Sequence, residues 1–174
     1  MSDSWYKVDN VAKVFLATAS MRDPRVFRIS CTLQEQVDPD TLNEALRRTA
    51  QEWPQFQVTL HRGLFWHYFE STDLMPAAQP ETKAPCAPLY TPERRNRLIY
   101  RVTYFGARIN LEMFHAITDG NGGLLYLKSI VRNYLALRHP GELDSVPSPN
   151  SASAGDLAQD SFRNFYGCLL YTSP

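Results

Sequence analysis

The chain has 174 residues, 44% of them hydrophobic, with 18 basic and 18 acidic side chains. That length suits one domain with a real core, and a balanced charge without any single-sign block speaks against a nucleic-acid or anionic-membrane surface. No apolar run nears the roughly 18 residues of a spanning helix. Met1 to Asn10 lacks a basic-then-apolar signal pattern, and Cys31, Cys86 and Cys168 are too scattered for a disulfide framework or a metal set. A reduced, cytoplasmic protein is the expectation.

In chain order, Val8, Val11, Val14 and Phe15 recur at helical spacing and predict a short helix or turn docking an apolar edge. Asp23-Pro24 signals a turn. Phe27, Ile29, Cys31 and Leu33 alternate with polar residues, the period of a half-buried strand. Asp38 fits a helix N-cap and Pro39 the first helical position, with Val37 and Leu42 as a hydrophobic staple. Leu42, Ala45, Leu46, Thr49 and Trp53 make one stripe of that helix, and Pro54 stops it. A hairpin follows, from Phe56–Leu60 through Arg62-Gly63 to Leu64–Glu70. Ser71–Glu93 is too proline-rich for helix and predicts an extended crossing loop. A second hairpin runs over Leu98–Phe105 and Arg108–His115 with Gly106-Ala107 at its tip. If pairing holds to the end, His115 shares the apolar face of Ile109, Leu111 and Met113, and Phe114 points the opposite way. Gly122–Arg138 predicts a helix with Leu124, Leu127, Ile130, Val131, Tyr134 and Leu135 inward, ended by His139-Pro140-Gly141. The order argues α+β: a mixed sheet with helices packed on it.

The densest chemistry is His115-Ala-Ile-Thr-Asp119-Gly120-Asn-Gly122-Gly123, between that strand and that helix. Histidine's ordinary pKa near 6.5 makes it the best-matched general base at neutral pH. On residues alone His115 is either a positioned base or a core histidine. Asp119 either orients it, as in a triad, or shapes the loop. Gly120 suits a positive φ or a close approach. Gly122 and Gly123 either offer N–H groups to an anion or make a flexible helix entrance. Elsewhere the signals are weaker. A Cys31–His115 nucleophile pair is less expected than a buried strand cysteine. His61 and His67 are too few and too spread for zinc, so surface or packing roles are expected and no metal. Trp66, Tyr68 and Phe69 read as core or interface. No G-x-S-x-G elbow, phosphate-binding loop or dinucleotide fingerprint is present.

His115-Ala-Ile-Thr-Asp119-Gly120 also resembles the HxxxDG signature of the chloramphenicol-acetyltransferase-like superfamily, which includes peptide-synthetase condensation domains, plant acyltransferases, wax ester synthases and alcohol acetyltransferases. Condensation domains carry HHxxxDG. Phe114 in the first place looks more like the alcohol acetyltransferase or plant-type branch, and Trp5 to Phe15 resembles the opening of bacterial alcohol-acetyltransferase-like proteins. The resemblance implies a two-layer sandwich and one half of a two-half domain. It implies His115 as the base that deprotonates an alcohol or amine attacking an acyl thioester, with no covalent enzyme intermediate. Acyl-CoA is then the co-substrate, with an acyl carrier protein as the other possible donor and no bound cofactor. It gives Asp119 a structural role, pairing an arginine that the sequence does not identify. On this reading 1–142 is an N-terminal half-domain, 143–155 a Ser/Pro-rich linker and 156–167 the start of a following segment. Residues 168–174 resemble a translated sequencing-adapter tail and are expected to be non-native. The missing C-terminal half leaves self-association or aggregation as an expectation. The alternatives are a non-catalytic condensation-domain-like scaffold for a carrier or partner protein, and a subunit that dimerises to complete its tunnel.

Overall fold

Between Arg108 and Phe114 the side chains alternate in kind, yet nearly all of them are buried on both faces. This strand, β7, is the spine of the computed structural model, which describes residues 5–8, 10–64, 66–91 and 96–142. The elements are β1 (Trp5–Lys7), α1 (Asn10–Thr18), β2 (Val26–Thr32), α2 (Pro39–Glu52), a 3₁₀ turn (Pro54–Phe56), β3 (Val58–Arg62), β4 (His67–Ser71), β5 (Gln79–Pro80), β6 (Tyr100–Phe105), β7 and α3 (Gly120–Arg138). The expected linker, following segment and tail, with Cys168, lie outside the described residues. No described helix is long and apolar enough to cross a membrane.

The architecture is α+β, and the strands divide into two sheets rather than one. A four-stranded sheet has the order β2-β7-β6-β5, antiparallel except for the β5–β6 pair. A three-stranded antiparallel sheet has the order β1-β4-β3. The crossing loop is thus not wholly irregular: Gln79 and Pro80 add a parallel edge to β6. β1 was not foreseen, since three exposed residues carry no periodic signal.

Ile109, Leu111 and Met113 face the helices and pack with Leu42, Ala45 and Leu46 of α2 and Tyr126, Leu127, Ile130 and Tyr134 of α3. Asp38 caps α2 by accepting from the Thr41 N–H at 2.8 Å, with Pro39 in the first turn, and donates its own N–H to Tyr134 Oη at 2.9 Å. The predicted α2 stripe is fully buried, Trp53 included. The α3 stripe differs. Leu124 is exposed, while Tyr126, Ser129 and Asn133 are buried because they carry the polar contacts between helices. Trp53 Nε1 donates to Ser129 Oγ at 2.9 Å, and Asn133 Nδ2 donates to Thr49 Oγ1 at 3.0 Å. The α1 stripe shifts likewise: Val11 and Val14 face out, and Val8, Ala12, Phe15 and Leu16 face in.

On the other face of β7 the buried residues are polar. Glu112 is fully buried, accepting from Arg28 Nε at 2.8 Å, Arg101 Nε at 2.9 Å and the Cys86 N–H at 3.0 Å. Arg28 also pairs Glu81, which Arg108 reaches at 2.6 Å. Burial pushes the Glu112 carboxyl up, but the Cys86 amide and the Arg101 and Arg28 guanidiniums outweigh it and hold it below the ordinary carboxylate value. At the strand's end Phe114 joins a second apolar cluster with Val8, Ala12, Val58, Leu60, Ile99 and Ala116.

Candidate active site around His115

β7 ends one residue before the histidine. Its last pair is Val26 with Phe114, and His115 opens a turn in which the Ile117 N–H donates to the Phe114 carbonyl at 3.0 Å. The predicted strand therefore stops short of His115. The residue is instead pinned across the strand gap, its N–H donating to the Arg25 carbonyl at 2.9 Å. Arg25 reaches there with φ of 54°, in the left-handed region. For an arginine that conformation costs roughly 1 kcal/mol or more and persists only where surroundings demand it. Here the Asp23-Pro24 turn and the start of β2 demand it.

The imidazole is half-buried where the two apolar clusters meet. Phe15 of α1 stacks on it with ring centroids 4.6 Å apart and planes 13° apart. Phe27 of β2 lies at the same centroid distance, tilted by 49°. Nδ1 is buried without a hydrogen-bond partner. No described residue bonds Nε2, which is not among the enclosed atoms.

No hydrogen bond joins Asp119 to that ring. Its carboxylate caps α3, accepting from the Gly122 N–H at 2.8 Å, while its carbonyl accepts from the Gly123 N–H at 3.0 Å. The direct orienting role thus has no hydrogen bond here, and among the described residues Asp119 forms no ion pair with an arginine. Of the two readings left open for these amides, the anion one has no free donor here, since both are already occupied. Gly122 and Gly123 are small for packing reasons instead. A Cβ on Gly122 would meet Thr118 Oγ1 at 2.0 Å, and one on Gly123 would meet Phe27 Cε2 at 2.8 Å. Gly120 starts α3 with ordinary helical backbone; positive φ belongs to Gly106 and Gly141. Nothing lies within 4 Å of where a Gly120 Cβ would sit.

The remaining sequence candidates are not gathered at His115. Cys31 pairs with Ile109, six positions before His115, roughly 20 Å of strand away, so the two form no nucleophile pair. His61 Nε2 meets both Thr59 Oγ1 at 2.8 Å and Glu70 Oε2 at 2.9 Å. One nitrogen serving both partners cannot relay a proton between them, as a triad requires. His61 and Tyr68 face each other across β3 and β4. His67 alternates to the opposite face, packs edge-on to Tyr90, and is held below its usual value by burial and then by Arg62. Among the described residues no group of His, Cys, Asp and Glu could hold a metal. What sequence reading missed is the trio Phe15, Arg25 and Phe27. Each sat in a recognised element, but nothing local signals that they converge on one histidine.

No family model and no curated protein matches this sequence. Solved structures do match. The starter condensation domain of rhizomide synthetase RzmA aligns at a TM-score of 0.59 and 13% identity, over 78% of this chain and 38% of that one. A variant of that domain in complex with C8-CoA aligns at 0.61 and 12%, over 77% and 36%. Polyketide synthase associated protein 5 from Mycobacterium tuberculosis aligns at 0.56 and 15%, over 78% and 34%. The likeness is one of fold. This chain has the architecture of a part of a condensation domain, and it spans little more than a third of each of these chains.

Proposed function

We propose that the chain is part of an acyltransferase that moves an acyl group from acyl-CoA to an alcohol or amine, with His115 as general base. One observation carries the reading: an intact HxxxDG motif places a half-buried histidine with an unbonded Nε2 at a strand-end turn of a condensation-domain fold. A neighbour of that fold was crystallised with C8-CoA, which supports the choice of donor.

In this mechanism His115 Nε2 takes the proton from the acceptor as its oxygen or nitrogen attacks the thioester carbonyl. Collapse of the tetrahedral adduct breaks the C–S bond, and the proton passes from the imidazolium to the departing sulfur. Gly122 and Gly123 spend their amides inside the chain, so oxyanion donors come from elsewhere. The rest of the substrate channel is built by a second half absent from this chain, and the protein works in the cytoplasm. The 174-residue chain alone therefore has little or no turnover.

The test is thiol release from an acyl-CoA panel with alcohol and amine acceptors, using the whole protein that carries this segment. His115→Ala should lower kcat by about a hundred- to ten-thousand-fold. Unchanged transfer in that variant would favour the non-catalytic scaffold instead.

A further inference from the structure

On the face of the four-stranded sheet turned away from the helices, Arg28, Arg101 and Arg108 meet Glu112 and Glu81, three guanidiniums to two carboxylates. Glu112 is built in: it lies on an inner strand, is fully buried, and accepts from Nε and Nη2 of both Arg28 and Arg101. Glu81 is held differently. It comes from the proline-rich crossing segment, with Pro80 and Thr82 exposed on either side of it. Its N–H donates to the Tyr104 carbonyl at 2.9 Å, so the side chain can swing out while the backbone stays on β6. Arg28 and then Arg108 hold its carboxyl below the ordinary carboxylate value, which keeps it an anion at neutral pH.

That carboxylate spends one oxygen on each arginine, Oε1 on Arg28 Nη1 and Oε2 on Arg108 Nη2, the latter at 2.6 Å. Arg108 Nε is left enclosed with no acceptor. A guanidinium offers an oxyanion two parallel N–H groups, and two oxygens divided between two arginines cannot also close the Nε–Nη2 fork of Arg108. A phosphate group brings three acceptor oxygens and nearly twice the charge, enough to meet Arg28 Nη1 and both arms of Arg108 together. The Arg108 guanidinium also lies 5.9 Å from the centre of the Phe105 ring, which is 68% exposed, so an aromatic surface adjoins the fork.

We propose that Arg28 and Arg108 form a binding site for a phosphate group, free or carried on an organic molecule, and that the Glu81 carboxylate fills this site until the ligand displaces it. The proposal does not rest on the reading of His115, which follows the far end of β7, about 23 Å of strand from Arg108. Because the ligand binds only when Glu81 has swung out, its apparent affinity is lowered by the fraction of time the carboxylate is in place. Glu81→Gln keeps the length of the side chain and removes the competing anion.

The test follows the arginine Nε resonances of the 15N-labelled chain as inorganic phosphate, and separately phenyl phosphate, is added at neutral pH and constant ionic strength in chloride. The Arg108 Nε resonance should shift and saturate. Glu81→Gln should bind phosphate about tenfold more tightly, the gain expected when the competing state is removed, and Arg108→Gln should lose saturable binding. Tighter binding of phenyl phosphate that Phe105→Ala abolishes identifies an organic monoester, and equal affinities identify free phosphate; both uphold the site. An Arg108 Nε resonance that does not respond in the wild-type chain or in Glu81→Gln overturns the proposal. So does equal affinity in the wild-type chain and folded Glu81→Gln, or unchanged affinity in Arg108→Gln. Should either variant not fold, the wild-type response of Arg108 Nε decides it, saturating if the site is real and flat if it is not.

Discussion

Asp119 and Glu112 show two carboxylates with separate duties. Asp119 sits exposed at the mouth of a helix, and its one described side-chain contact is the cap on Gly122. Asparagine caps as well as aspartate, whereas alanine forfeits about 1 kcal/mol. Asp119→Asn should therefore leave the denaturation midpoint near wild type and Asp119→Ala should lower it. A large loss in Asp119→Asn would mean that the charge itself is used, as an arginine partner would require. Glu112 is the opposite case, enclosed and held by two guanidiniums and one amide. Glu112→Gln keeps the shape but strips the charge. Removing one member of a buried pair costs roughly 3–5 kcal/mol. The low end applies, since Arg28 retains Glu81 and Arg101 can reach water. Urea denaturation of the variant checks it.

Among the elements, α3 is the one that must approach closest. Its first turn slides over Phe27 because Gly123 has no side chain. Gly123→Ala drives a methyl into a ring that has His115 behind it. Overpacking of that kind costs about 1–3 kcal/mol, against a gain of up to about 1 kcal/mol from replacing a helical glycine. The variant should be less stable, with shifted His115 ring resonances. Gly120→Ala meets no atom within 4 Å and should match or exceed wild-type stability. Comparing the two midpoints separates packing from propensity. α2 shows what a well-signed element looks like. Its cap, first-turn proline and stripe all agree, so local and tertiary preferences coincide.

At the scale of the whole molecule, acid is the condition that tests the fold most directly. Carboxylates are bound to cations or capped amides: Glu112 as described, Glu81 by Arg28 and Arg108, Glu35 by Arg138 and His139, Asp38 by Thr41, and Glu44 by Arg47 and Arg48, which bring it to about 2. A carboxyl with a depressed folded pKa contributes fully above its unfolded value and loses that contribution as pH falls through the folded value. His67, also depressed, begins an earlier and shallower loss below its ordinary 6.5. Thermal stability should be flat near neutrality, sag slightly from pH 6.5 and fall steeply between 4.5 and about 2. Scanning calorimetry across that range would show it, and a midpoint that holds down to pH 3 would contradict it. Trp5, Tyr6, Leu64 and Trp66 are exposed on or beside the three-stranded sheet.

Much of this protein is decided by rules that act over a few residues. Alternation in β7 chose which side chains meet the helices, Asp38-Pro39 started α2, Gly106 turned the hairpin with φ of 58°, and the HxxxDG run put a histidine between strand and helix. These were legible because backbone period, caps and turn conformations depend on neighbours in sequence. The ring contacts of His115, the burial of Glu112 and the polar helix interface through Ser129 and Asn133 were not. Phe15 lies a hundred positions before His115, and Arg28 meets Glu112 across 84 positions. Such pairs exist only once β2 has docked on β7 and α1 has closed over its end. The sequence determined that a histidine stands between this strand and this helix. Tertiary packing decided what surrounds its ring, because Phe15 and Phe27 meet His115 only once α1 and β2 have docked.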